Sequence, residues 1–154
     1  MRIDLLGGFR VAVDGVTVDE AAWRLRSARG LIKLLALNPD HSSHREHVIE
    51  ALWPERDPAT ASNNLRQALF VACRALDSAG EGGGAALGLA HDKLTLAAGR
   101  LSIDVEEFEA AAAEAELAPS IEGHRRALEL YGGELLPEDR FEEWASTRRP
   151  PIAV

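Results

Sequence analysis

The sequence predicts an α+β chain in two parts. Strands, three helices and a β-hairpin fill residues 1–100, and a helical hairpin with an unfinished third element fills residues 101–154. Three observations carry this. Phe9, Val11 and Val13 alternate with Arg10, Ala12 and Asp14 up to an Asp14-Gly15 pair, the short-range signature of a hairpin with one buried face. Three amphipathic segments follow, each closed or opened by a proline. Charge then divides the chain: residues 1–80 hold ten Lys/Arg and ten Asp/Glu, while residues 81–154 hold seven and fifteen and carry the whole net charge of -8.

IDLLGG, FRVAVDG and VTVD read as short strands broken by Gly7-Gly8 and Asp14-Gly15. SARGLIKLLAL, residues 27–37, has the apolar density of a mostly buried helix, and Asn38-Pro39-Asp40 ends it. Ser43-His44-Arg45-Glu46 has the S-x-x-E pattern of a capping box, with Val48, Ile49 and Leu52 on one face behind it and Trp53-Pro54 as its stop. Asp57-Pro58 opens a third helix, with Asp as N-cap and Pro at the first helical position. Gly80 to Gly84 reads as a flexible turn, and ALGLA and KLTLA flank His91-Asp92 as a second hairpin. Beyond Ile103 the composition changes. Asp104-Val105-Glu106-Glu107 resembles another capping box and leads into the alanine-rich EEFEAAAAEAEL, a strong helix former. Pro119-Ser120 breaks it, IEGHRRALELY forms the next helix up to Gly132-Gly133, and Arg140 to Arg149 suggests a third before Pro150-Pro151.

Composition excludes several classes. With 46% hydrophobic and 27% charged residues the chain reads as a soluble globular protein. No apolar run approaches the roughly 18–20 residues of a membrane span, so no membrane partner is expected. MRIDLLGGFRV lacks the apolar stretch of a secretory signal. A single cysteine, Cys73, precludes an intrachain disulfide and points to a reducing cytoplasm. No C-x2-C or H-x3-H pair accompanies it, and His41, His44 and His47 read as surface histidines near a helix start, so no metal site is expected. There is no G-x-S-x-G, no GK[ST] loop and no H-E-x-x-H, and Gly82 to Gly84 lack the strand-to-helix setting of a phosphate cradle; no catalytic residue and no cofactor are expected.

The third helix, ASNNLRQALFVACRALD at residues 61–77, is the informative one. Placed on a wheel at about 100° per residue, Leu65, Leu69, Ala72 and Leu76 share one face, flanked by Ala61, Ala68 and Cys73. Asn63, Arg66, Gln67, Phe70 and Arg74 share the other, with Asn64 at its edge, and no acid lies between Ala59 and Leu76. Asn and Gln bond adenine bidentately, Arg bonds guanine or phosphate, and Phe contacts a thymine methyl. An acid-free face is what a phosphate backbone requires. The bland reading, a solvated face with Phe70 packed under the 80–97 hairpin, stays open at this point.

Three stretches together resemble one family: RSARGLIKLLALNPDHSSHREHVIEALWPERDPATASNNLRQALFVACRALD, the LTL…SIDVEEFEAA junction, and RALELYGGELLPEDRFEEWA. The resemblance is to bacterial transcriptional regulators of the SARP/AfsR type and covers nearly the whole chain. It implies an OmpR/PhoB-type winged helix-turn-helix over 1–100, with an N-terminal antiparallel sheet of four strands, three helices and a C-terminal hairpin wing. A partial TPR-like bacterial transcriptional activation domain over 101–154 is implied to follow.

The resemblance also implies roles. Helix 59–77 would lie in the major groove of double-stranded DNA, with Asn63, Asn64, Arg66, Gln67, Phe70 and Arg74 toward bases or phosphates. Ser43, His44 and Arg45 would put a helix N-terminus near a phosphate. His91, Asp92 and Lys93 would form the wing tip, on the minor groove or backbone. The loop from Trp53 to Pro58 would face RNA polymerase, and a homodimer or tandem binding on direct repeats is implied. Two departures stand out: Phe70, Val71 and Cys73 occupy positions where the family often has arginine, and the helical domain is short. Leu128, Leu130, Tyr131, Phe141 and Trp144 would then dock on the winged helix or on a second copy. The rival reading is a protein-interaction adaptor of the same fold that works through its acidic half, without specific DNA binding.

Overall fold

A computed structural model describes residues 1–97 and 99–146. The chain forms two compact units, one of Met1 and Ala12–Gly99, the other of Arg2–Val11 with the chain from Arg100 onward. Strand β2 (Arg10–Val13) carries the chain from the second unit into the first.

In the first unit the end of β2 pairs antiparallel with β3 (Val16–Thr17), in the register Ala12↔Thr17 and Val13↔Val16. Asp14 and Gly15 both take positive φ, 50° and 82°, as a two-residue hairpin turn demands and as the Asp-Gly pair predicts. A short 3-10 turn, Glu20–Trp23, is capped by Asp19 and buries Trp23. Helix α1 (Arg26–Leu37) is buried on nearly every side, in keeping with its continuous apolar run. Strand β4 (Ser42–His44), helix α2 (Arg45–Leu52) and helix α3 (Pro58–Ala79) follow. The hairpin of β5 (Leu87–Ala90) and β6 (Lys93–Leu96) closes the unit, and its sheet runs in the order β4-β6-β5. Leu31, Ile32, Leu35, Leu65, Leu76 and Leu94 are fully buried in this core, each stabilising the fold by roughly 1.5–3 kcal/mol.

Two local expectations need correcting. Ser43 is not the N-cap of α2. It is drawn into β4 opposite Leu94, and His44 takes the cap, its Nδ1 accepting from the Glu46 amide. Nor is Gly80 to Gly84 merely a flexible turn, since Gly83 and Gly84 are buried in a 3-10 turn (Gly83–Ala86) against the end of α3. A Cβ on Gly83 would lie 2.5 Å from the Leu76 carbonyl oxygen, and one on Gly84 would lie 2.6 Å from that of Cys73. Gly83→Ala is therefore expected to destabilise the protein by about 2–4 kcal/mol, because backbone must move. Gly82→Ala, where φ is 77° but the space is open, should cost only about 1–2 kcal/mol. Urea unfolding of both variants checks the order, which reverses if packing is irrelevant there.

In the second unit β1 (Arg2–Asp4) lies between the start of β2 and β7 (Ser102–Ile103). β1 and β7 run parallel, in the register Arg2↔Ser102 and Ile3↔Ile103, so the sheet expected to be antiparallel is mixed. The reason is nonlocal: the partner of β1 arrives only after the whole first unit has been traversed, and a crossover of that length permits parallel pairing. Helix α4 (Asp104–Leu117) leads to α5 (Ile121–Leu130), which Ser120 caps by accepting from Gly123. Phe108 of α4 packs on Tyr131 at a centroid distance of 5.3 Å. Gly7, at φ 80°, meets Gly132 and Gly133 so closely that a Cβ on it would lie 2.5 Å from the Gly132 oxygen. A 3-10 turn at Pro137–Asp139 and helix α6 (Glu143–Ser146) follow; of the helix expected over 140–149, Arg140 to Glu142 are not helical and residues 147–149 fall outside the described residues.

Asp104 does more than open a helix: its two carboxylate oxygens accept the backbone amides of Leu5 and Leu6, at 2.8 and 2.9 Å. The group is buried, and that burial pushes its carboxyl above the usual carboxylate range, against the pull of the two amides.

Candidate nucleic-acid interface

Helix α3 begins as its sequence dictates. Asp57 accepts from the Thr60 amide, which holds the Asp57 carboxyl below its ordinary value, and Pro58 occupies the first turn, where no amide is needed. One face, formed by Ala61, Leu65, Ala68, Val71, Ala72, Ala75 and Leu76, is buried. The small alanines let α1 and the helix approach closely, and this fixes which face remains outside. Asn63, Arg66, Gln67, Phe70 and Arg74 are exposed, with Asn64 half-buried at the edge, as the wheel predicts. From Asn63 to Arg74 the face runs along roughly 16 Å of helix axis at 1.5 Å per residue.

Phe70 does not pack under the 80–97 hairpin: its side chain is 62% exposed. The Arg74 guanidinium sits 5.8 Å from its ring centroid, one helical turn on, a cation–π pair that stiffens both side chains on the outer face. Among the described residues the side chains of Asn63, Asn64, Arg66 and Gln67 make no hydrogen bond or ion pair. Asp77, the first acid after Asp57, is engaged elsewhere: its Oδ1 accepts from the Gly84 amide at 2.7 Å. Burial, then the Asp77 charge, pushes the Cys73 thiol up, so it stays protonated and inert at neutral pH.

Three neighbouring elements frame this face. β4 and β6 pair so that His44 lies opposite Lys93. His91 and Asp92 form the β5–β6 turn at φ 52° and 60°. The Arg45 amide donates to the Asp92 carbonyl at 2.8 Å, and its Nη2 donates to Ser62 Oγ on α3 at 2.7 Å. The structure thus brings Ser43, His44, Arg45 and Lys93 to one neighbourhood, and sequence reasoning missed Ser62 and the Asp92 carbonyl. No local pattern could have found them, since a serine in a helix and a carbonyl in a turn carry no signature. Lys93 is exposed, with Asp40 at 3.9 Å. Hydrogen bonding from Ser42, with a smaller contribution from Lys93, holds the Asp40 carboxyl low. The N-terminus of α2 is less inviting to a phosphate than its dipole suggests, because Glu46 lies exposed in its first turn.

No family model and no curated protein sequence matches this chain. A solved structure does: Mycobacterium tuberculosis EmbR, in complex with a low-affinity phosphopeptide. The match has a TM-score of 0.75 and covers 95% of this chain at 22% sequence identity. The two proteins share a fold. The chain spans about 40% of the length of that EmbR chain. No helix among the described residues is long and apolar enough to cross a membrane.

Proposed function

We propose that this protein is a non-enzymatic, sequence-specific DNA-binding transcriptional regulator of the SARP type. In this reading α3 enters the major groove of double-stranded DNA, and the β5–β6 hairpin is the wing beside it. The carrying observation is the outer face of α3, on which five exposed amide, guanidinium and aromatic side chains stand with no carboxylate among them. Asn63, Asn64 and Gln67 read bases, Arg66 and Arg74 reach guanine or phosphate, and Phe70 touches a thymine methyl. Ser43, His44 and Lys93 lie toward the backbone, and the loop from Trp53 to Pro58 faces RNA polymerase. Tandem or dimeric binding on direct repeats in the cytoplasm, with the α4–α5 pair as part of a TPR-like domain, completes the reading. The fold shared with EmbR supports it.

The test is a fluorescence titration of the protein against its upstream DNA and against random duplex, across salt. A regulator gives a preference for one duplex and a log–log salt slope near −0.9 for each phosphate neutralised. Indifference to every duplex at low salt would sink the reading.

One observation favours the adaptor reading. Leu117, Ile121 and Leu128 are largely exposed, and a cleft of about 650 Å³ is lined by Pro119, Ser120, Ile121, His124, Arg125 and Leu128. Its polar rim is basic rather than acidic, so an adaptor would work through α5 and not through the glutamates of α4. Ile121→Glu would then abolish partner capture while leaving the thermal melt unchanged.

A further inference from the structure

Resting on the DNA-binding reading, we infer that Arg45 is a positioning residue that sets the separation between α3 and the hairpin wing, and is not a ligand for phosphate. Arg45 is the first residue of α2, and it holds the other two elements of the proposed reading surface at once. Its main-chain amide donates to the Asp92 carbonyl at the hairpin turn, and its guanidinium donates to Ser62 Oγ, one residue before Asn63. The preceding residue, His44, is in register with Lys93 across the sheet, so the wing side of the link is rigid. The turn that offers the Asp92 carbonyl is itself fixed, with two consecutive residues in the left-handed region. Ser62 is half-buried at the edge of the packed face of α3, next to the buried Ala61, so the α3 side of the link is anchored in the core.

The geometry separates two kinds of binding. Non-specific association depends on counterion release and tolerates slack between helix and wing. Specific association requires base edges in the groove and phosphates beside it to be met in one register, and slack destroys it. A strut therefore sets selectivity, and a phosphate ligand sets overall affinity. Glu46, exposed in the same first turn, argues for the strut, since a phosphate placed there would face a carboxylate.

The experiment uses Arg45→Met, which keeps the aliphatic stem, together with Ser62→Ala and the double variant. The probes are a duplex of about 30 base pairs enriched by the wild type from a randomised pool, long enough for two half-sites, and a random duplex of equal length. Binding is measured by fluorescence anisotropy between roughly 0.05 and 0.2 M salt. Each single variant is expected to lower the ratio of specific to random affinity about five- to tenfold, the scale of one net intramolecular hydrogen bond. The double variant should be no worse than either single one, and the salt slope on random duplex should not change. A slope reduced by about 1 in Arg45→Met, with Ser62→Ala silent, would mark a phosphate ligand and overturn the strut. Additive losses in the double variant would overturn it too. Without DNA, the Arg45 amide should exchange faster in both single variants, and unchanged exchange also rejects the proposal. A wild type that prefers no duplex would instead reject the DNA-binding reading, leaving the exchange experiment to decide the strut alone.

Discussion

Asp104→Ala is expected to destabilise the protein by about 2–5 kcal/mol, more than any other single substitution considered. Two backbone amides, those of Leu5 and Leu6, would lose their acceptors in a buried site, and each unmet donor costs about 1–3 kcal/mol. Asp104→Asn keeps one acceptor oxygen and should lose roughly half as much. The pH dependence has a definite sign. Burial raises the folded-state carboxyl above its ordinary value, so the folded state binds the proton more tightly than the unfolded chain does. The proton-linked contribution of Asp104 is therefore fully present below the unfolded pKa, about 3.9, and is lost as pH rises through the folded value. The stability gap between the wild type and Asp104→Asn should widen on acidification from neutral toward that range. Urea unfolding of both proteins at several pH values checks this, and a gap that closes in acid contradicts the assignment.

The second large effect concerns binding. Arg66→Ala combined with Arg74→Ala is expected to weaken the preferred duplex about a hundredfold, near tenfold for each contact, and to leave folding intact. Both side chains are exposed, Arg66 makes no hydrogen bond or ion pair among the described residues, and Arg74 gives up only its approach to Phe70, worth at most about 1 kcal/mol. Binding titrations alongside thermal melts distinguish the two effects. If affinity falls only in step with stability, the arginines are not at the interface. Phe70→Ala is the companion experiment. An exposed aromatic contributes little to the core, so the variant should melt like the wild type and relax selection at a single thymine position.

The features that the sequence carries are the local ones. The Asp14-Gly15 and His91-Asp92 turns, the Asp57-Pro58 start of α3 and the Ser120 break follow from a few adjacent residues. The outer face of α3 follows from helical periodicity alone. Ser43 is ambiguous in sequence because the same four residues satisfy a capping box and a strand end, and pairing with the distant Leu94 selects the strand. Gly83 and Gly84 looked like slack because glycine reads as flexibility in sequence, whereas here it permits close contact with α3.

By itself, then, the sequence determined where helices and turns begin and which side of α3 carries amides and guanidinia, because capping, turn conformation and periodicity act within a few residues. Only the tertiary structure decided the rest. It paired β1 with β7 across the whole first unit, put the Asp104 carboxylate under the amides of Leu5 and Leu6, freed Phe70 from the hairpin and joined Arg45 to Ser62 and Asp92. Each of these is a contact between groups that no short window contains, and burial of backbone polar groups and apolar faces, not local propensity, selects it.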